Sequence, residues 1–302
     1  MRKWLLTLVL CLFPFSGLAQ DLDDAVLTIE PVKDGLYVIY GPGGNIGVST
    51  GADGVFIVDD QFAPLTPRIL DLIRSISDAP VRFVINTHWH PDHAGGNEPF
   101  GEAGAIIIAH ENTRSHLATD QVLEQFNATI PRSPDAALPV VTFSDEASLH
   151  LNGDNVRLLH IPHSHTDGDI AVWFQKANVL HMGDAFLMQG FPLVDWSSGG
   201  SIDGMLAGLE RTIEMIDDET IIIPGHGELT NRSTMMAIRD IIQTIRDRIQ
   251  AMIEDGMSVD EIVAAHPTAE WDESMTNPYV TGESLTRAIH HTLTEPLSHE
   301  HD

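Results

Sequence analysis

His88-Trp89-His90-Pro91-Asp92-His93 is the stretch on which the reading of this chain turns. It follows an apolar run at residues 82–85 and the pair Asn86-Thr87. Two imidazoles two residues apart can meet one cation from an extended or tightly turned segment. Asp92 and His93 then point onward, where a second cation can sit. Neutral imidazole and carboxylate suit a borderline ion such as Zn²⁺. Gly95-Gly96, directly after, predicts a sharp chain reversal of the kind a ligand loop needs. A surface histidine cluster is the bland alternative, and it does not call for that glycine pair.

Working outward, three later segments share one placement. His165-Thr166-Asp167-Gly168-Asp169 follows an apolar run ending near Ile161. Gly183-Asp184 follows the run 179–182, and Pro224-Gly225-His226-Gly227 follows Ile221-Ile222-Ile223. Each candidate ligand lies just past the C-terminal end of a strand-like run. Loops at one edge of a layered α/β fold converge there on one pocket. His163 competes with His165 by position.

The rest of the chain fits such a fold. Segments 36–40, 46–50 and 55–58 read as strands separated by Gly41-Pro42-Gly43-Gly44-Asn45 and Ala52-Asp53-Gly54. Short apolar runs at 105–108, 156–161, 170–174, 179–182 and 220–223 alternate with helical or loop segments. Residues 66–76, 202–216 and 238–253 carry apolar stripes at helical spacing, which read as core faces. Residues 119–139, with Pro131, Pro134 and Pro139, read as an insertion or surface loop. Hairpins mixed with crossovers predict an α/β sandwich with mixed sheets. Short helices at 259–265 and 285–293 predict a helical C-terminal extension over 255–302 of a single domain spanning 20–302.

The N-terminus is a separate object. Arg2 and Lys3 precede an apolar run at 4–15 and the small residues Ser16-Gly17-Leu18-Ala19. This predicts a secretory signal over 1–19 and a periplasmic or secreted protein. Cleavage removes Cys11, the one cysteine. A formal charge of −28 repels nucleic acids and anionic membranes. The expected partner is a small-molecule substrate, with no nucleic acid and no stable membrane association after cleavage. Oligomeric state is not legible in the sequence.

Taken together, His88-x-His90-x-Asp92-His93, His165-Thr166, Gly183-Asp184 and Gly225-His226-Gly227 resemble the metallo-β-lactamase superfamily. The resemblance runs from about Leu36 to about His226. It implies a four-layer αββα sandwich with a two-metal groove at one edge of the sheets. It implies that His88, His90 and His165 hold a first metal and Asp92, His93 and His226 a second, with Asp184 bridging. The His-Thr pairing favours His165 over His163. Pro267-Thr268-Ala269-Glu270-Trp271-Asp272 is similar to a secreted β-lactamase-like branch. One departure matters. Two-zinc β-lactamases usually have Cys at the Asp184 position and commonly Lys at that of Leu187. Oxygen in place of sulfur shifts the site toward harder metals, and the missing Lys removes an anchor for an anionic substrate.

The function implied is a binuclear zinc hydrolase, with two Zn²⁺ per chain and iron or manganese as alternative metals. A hydroxide shared between the metals attacks an amide or ester carbonyl, oriented by Asp92 in the catalytic role. The substrate is expected to be β-lactam-like, with weak or promiscuous β-lactamase activity. A lactonase, thioesterase or phosphodiesterase would use the same hydroxide. A mono-iron sulfur dioxygenase and a non-catalytic periplasmic metal-binding protein are the further alternatives. His90 argues against the di-iron branch, which usually has Glu there.

Around the ligands, the resemblance places Asp59 where it orients a ligand, against a plain strand-end turn. Trp89 either walls the pocket or packs in the core. Gly44 and Asn45 sit on a short hairpin flanking the groove, which predicts an open site. Trp196, with Phe186, Met188 and Phe191, makes either an apolar rim or a packed loop. His110, His160 and His181 read as packing or supporting groups. His290, His291, His299 and His301 read as a frayed tail.

Overall fold

Side-chain alternation along short strands builds the core. The computed structural model describes residues 22–295 apart from Gln189, Thr276 and Pro278. The signal segment, Cys11, His299 and His301 lie outside the described residues. The first sheet begins as an antiparallel meander of β1 (Thr28–Lys33), β2 (Leu36–Tyr40), β3 (Ile46–Gly51) and β4 (Gly54–Val58). Helix α1 (Thr66–Arg74) then crosses to β5 (Val81–Ile85), which lies parallel to β4. Short helices α2 (Pro91–Ala94) and α3 (Asn97–Glu102) lead to β6 (Ile106–His110). After α4 (Glu111–Leu117) comes a small hairpin, β7 (Gln121–Leu123) with β8 (Ala128–Ile130), and then β9 (Val141–Phe143). The seven-stranded order is β1-β2-β3-β4-β5-β6-β9.

The second sheet holds β10 (Glu146–Leu151), β11 (Asp154–His160), β12 (Ile170–Phe174), β13 (Val179–His181), β14 (Ile221–Ile223) and β15 (Thr230–Asn231) in chain order. Helix α5 (Ile202–Met215) makes the crossover between parallel β13 and β14. Helices α6 (Arg232–Glu254), α7 (Val259–Ala264) and α8 (Gly282–Thr294) follow.

Period-two alternation sends one set of side chains between the sheets. Leu36, Val38, Phe56 and Val58 meet Ile170, Val172, Phe174 and Ile223 there. Phe56 and Phe174 stack with ring centroids 5.8 Å apart. The opposite face of the first sheet presents Ile39, Val48 and Ile57 to Leu65, Ile69 and Ile73. The opposite face of the second presents Ala171, Leu180 and Ile222 to Leu206, Leu209, Ile242 and Ile245. Each such burial contributes about 1.5–3 kcal/mol, and the outcome is a mixed-sheet αββα sandwich. Ile262, Leu285, Ala288 and Ile289 of the last helices join the α5–α6 layer. Among the described residues, no helix is long and apolar enough to cross a membrane.

Two expectations need correction. Helix α6 begins at Arg232, two turns before the apolar stripe, because Asn231 caps it by accepting the Thr234 N–H. Residues 119–139 contain the β7–β8 hairpin, and Leu123 and Leu138 are buried against Trp89. Gly95 and Gly96 carry the backbone angles of the central pair of a type I turn, between α2 and α3. Gly95 is needed for close approach, because a Cβ there would overlap the Pro91 carbonyl.

Candidate metal centre

All seven candidate ligands lie at one edge of the two sheets, in the segments that follow strand ends, with Asp92 and His93 on the short helix α2. His88, His90, Asp92 and His93 follow β5; His165 lies between β11 and β12; Asp184 follows β13; His226 follows β14. The structure brings them together as three overlapping groups. These are His88–His90–His165, His88–His93–Asp184 and Asp92–His93–His226, with ligand atoms within 4.8 Å in each.

Second-layer partners fix which nitrogen of each ring faces inward. Thr87 Oγ1 donates to Asp59 Oδ2, so it accepts from His88 Nδ1 at 3.1 Å and leaves His88 Nε2 facing in. His90 Nε2 donates to Asp195 Oδ2 at 3.0 Å, leaving Nδ1. His165 Nδ1 donates to the Leu193 carbonyl at 2.8 Å, leaving Nε2. His93 Nδ1 donates to Asp59 Oδ2 at 2.8 Å, leaving Nε2.

The atoms left over want a cation. His90 Nδ1 and His165 Nε2 face each other at 2.8 Å as two lone pairs. His88 Nε2 is buried without a hydrogen-bond partner, and so is Asp184 Oδ1. Asp184 Oδ1 lies 3.0 Å from His93 Nε2 and 3.6 Å from His226 Nε2, while Oδ2 lies 3.8 Å from His165 Nε2. Asp92 Oδ2 is 3.1 Å from His226 Nε2. A buried polar atom without a partner is costly, so this donor set fits bound metal.

Electrostatics agree. Burial, with the neighbouring His93 and His165, holds His88 far below its ordinary range. Burial and His90 bring His165 down to about 4. Both rings are therefore neutral and able to coordinate. Burial opposes charge on Asp92, but His93 and His226 outweigh it and hold the carboxyl at about 2. Burial also opposes charge on His93, yet Asp184, Asp92 and Asp59 push it well up. Three carboxylates around one ring demand positive charge, which a proton or a metal can supply.

The hairpin residues support the cluster from behind. A Cβ on Gly44 would overlap the His93 ring, which accounts for glycine there. Asn45 Nδ2 donates to the carbonyls of Pro224 and Gly227, and its backbone N–H donates to Gly225, so it fixes the His226 loop. His181 donates to the Asn45 carbonyl and so supports the same loop. This hairpin packs onto the ligands from behind. Only the side chains of Asp92 at 29% and His226 at 23% are appreciably exposed.

Asp59 is resolved as a ligand-orienting residue, held by Thr87 and paired with His93. Trp89 is packing: it is 2% exposed, lies against His116 and Leu117, and meets the ring of His90 edge-on with centroids 4.7 Å apart. Trp196 does not line the site; it donates to Glu124 and packs on His291 of α8. His163 lies outside the cluster and donates to the Gly199 carbonyl. His110 and His160 stack on each other at 3.7 Å. Asp195 was missed by sequence reasoning. It is fully buried and accepts from His90, Ser197, Ser198 Oγ and the Ser198 N–H. Its signal, an Asp with Ser two and three residues later, marks a capped turn but not the ring it serves.

Comparison with known proteins agrees with this geometry. The family model described as Metallo-beta-lactamase superfamily matches residues 29–226. The hydroxyacylglutathione hydrolase GloC of Haemophilus influenzae is 27% identical over 164 residues, covering 54% of this chain and 76% of that protein. A metallo-beta-lactamase type 2 of Elizabethkingia meningoseptica is 24% identical over 259 residues, covering 82% of this chain and 97% of its own. Among solved structures, a metallo-beta-lactamase from Pontibacter korlensis shares the fold with a TM-score of 0.60 at 18% identity, covering 72% of this chain and 99% of that one.

Proposed function

Because the chain belongs to the metallo-β-lactamase superfamily, and its matched span holds all seven candidate ligands, we propose that this hydrolase uses two zinc ions to cleave an amide or ester bond in a small molecule. One observation carries the reading. The two oxygens of Asp184 face different sets, Oδ1 toward His93 and His226 and Oδ2 toward His165. A single carboxylate so placed suits a pair of cations rather than one. Cations held there supply Lewis acidity and lower the pKa of a water to about 7.

The chain's own residues set up the rest. Asp59 and Asp195 keep His93 and His90 in the tautomers that present lone pairs inward. Asp92, ionised and the most exposed of the seven, accepts a hydrogen bond from the attacking water and aims it. The other side chains of the cluster, apart from His226, are nearly closed to solvent, which strengthens every charge interaction inside.

A β-lactam-like ring is the leading substrate class. A specific observation favours a thioester as the second. Leu187 is buried at 7% exposure where a lysine would anchor a drug carboxylate, and a carboxylate, Asp184, stands where sulfur would. The hydroxyacylglutathione hydrolases among the relatives act on a thioester by name.

The test is turnover of β-lactam, lactone, thioester and phosphodiester substrates by one zinc-loaded sample. Hydrolysis of at least one acyl substrate, lost in His165→Ala and Asp184→Ala, is expected. Wild-type rates in those variants, or turnover of the phosphodiester alone, would overturn the reading.

A further inference from the structure

Two of the three histidines in the His88–His90–His165 set take their outer partner from one loop. His165 Nδ1 donates to the Leu193 carbonyl at 2.8 Å, and His90 Nε2 donates to Asp195 Oδ2 at 3.0 Å. Val194 lies between the two acceptors. The same loop is tied back to the ligand segment, because the Asp195 N–H donates to the His165 carbonyl. The Asp92–His93–His226 set is held from elsewhere. Asp59, just past β4, takes the outer N–H of His93, and Asn45, between β2 and β3, fixes the His226 loop.

The β7–β8 hairpin grips the 193–198 loop through three hydrogen bonds. Gln125 Nε2 donates to the Val194 carbonyl. The Glu124 backbone N–H donates to Ser197 Oγ at 3.3 Å, and that hydroxyl donates to Asp195 Oδ1 at 2.6 Å. Trp196 Nε1 donates to Glu124 Oε2 at 3.2 Å. Leu123, the residue before this pair, is buried in a cluster with Trp89, Leu117 and Leu138, which roots the hairpin.

Gln125 is a poor choice for fold stability. Its Oε1 is buried without a hydrogen-bond partner, which is costly. An apolar side chain of the same length would remove that orphan. The Val194 carbonyl would not be stranded, since it also accepts the Trp196 N–H at 3.2 Å. What the amide adds is a second fixed point on the residue between the two acceptors.

We propose that Gln125 is a positioning residue for metal: by holding Val194 it sets the Leu193 carbonyl and Asp195 where they orient His165 and His90, and so raises cation affinity at the His88–His90–His165 set alone. The inference rests on the two-cation reading above. Removing a direct partner of a metal-binding histidine weakens metal about 10- to 100-fold, so a residue acting one step further out should matter about three- to tenfold.

The test is Gln125→Met, which keeps the length and loses the amide. Stepwise zinc affinities are measured by chelator competition, and urea midpoints are measured on the metal-free chain. One zinc step weakens about three- to tenfold, and it is the step that Asp195→Asn weakens rather than the one that Asp59→Asn weakens. The metal-free midpoint is unchanged or higher. Ser197→Ala, which cuts the parallel link from Glu124 to Asp195, weakens the same step. Equal weakening of both steps, no weakening of either, or a metal-free midpoint that falls in proportion to the lost affinity overturns the proposal. A wild type that binds a single zinc overturns the two-cation reading; the role of Gln125 then stands or falls on whether that one step weakens in Gln125→Met.

Discussion

Asp59 and Asp195 perform the same task for different rings. Each is fully buried, and each accepts the outward N–H of one candidate ligand. Asp59→Asn is expected to weaken metal at the Asp92–His93–His226 set by about 10- to 100-fold, and Asp195→Asn to do so at the His88–His90–His165 set. Competition with a chelator that resolves two binding steps checks this. Equal loss at both steps in each variant would mean simple destabilisation. Asp59 was legible because the family resemblance puts an acidic residue at that strand end. Asp195 was not, because its partner is 105 residues away and only the folded loop supplies it. Trp89 shows the converse: adjacency to two ligands suggested a pocket wall, but its ring is buried between His90 and the residues Leu117, Leu123 and Leu138.

At the level of elements, the ends of strands carried most of the information. Four loops could be read as convergent because each placed a candidate ligand just past the C-terminal end of a strand-like run. Element boundaries were less legible, as α6 shows: its first three residues are polar, and the reading began at Ile238 although buried Met235 already belongs to the stripe. The end of β11 allows a prediction about pH. His160 stacks on His110, donates to the Asp167 carbonyl, and is brought down to about 4 by burial and by His110. Its folded pKa is below its unfolded value of about 6.5, so the unfolded chain binds the extra proton. Stability is unaffected by this group above pH 6.5 and falls as pH drops from 6.5 toward 4. Urea midpoints between pH 7 and 5 should fall less steeply in His160→Gln than in wild type; identical slopes would contradict the assignment. In the sheet interface, Phe174→Ala removes the partner stacked on Phe56 and should cost about 3–5 kcal/mol, measured by urea unfolding.

For the whole molecule, the sandwich brings distant segments to one edge, and the cluster joins both sheets. His88 to His93 belong to the first sheet, and His165, Asp184 and His226 to the second. A cation bound there ties the two sheets together and favours only the folded state. Stabilisation of about 4 kcal/mol is expected when free metal exceeds its dissociation constant a thousandfold. Chelation should lower the thermal midpoint, and zinc should restore it. Hairpins and crossovers made an α/β sandwich with mixed sheets legible, and its four layers were what the family resemblance implied. The close packing of the hairpin on His93 was not legible, because it depends on the absence of a Cβ at Gly44, which only the folded contact reveals. The most direct test of the central claim is metal content after equilibrium dialysis against zinc, measured by mass spectrometry of the dissolved protein. Roughly two equivalents per chain are expected, falling to one or fewer in Asp184→Ala, as a shared carboxylate requires. Less than one equivalent in the wild type, or two retained in Asp184→Ala, would contradict it.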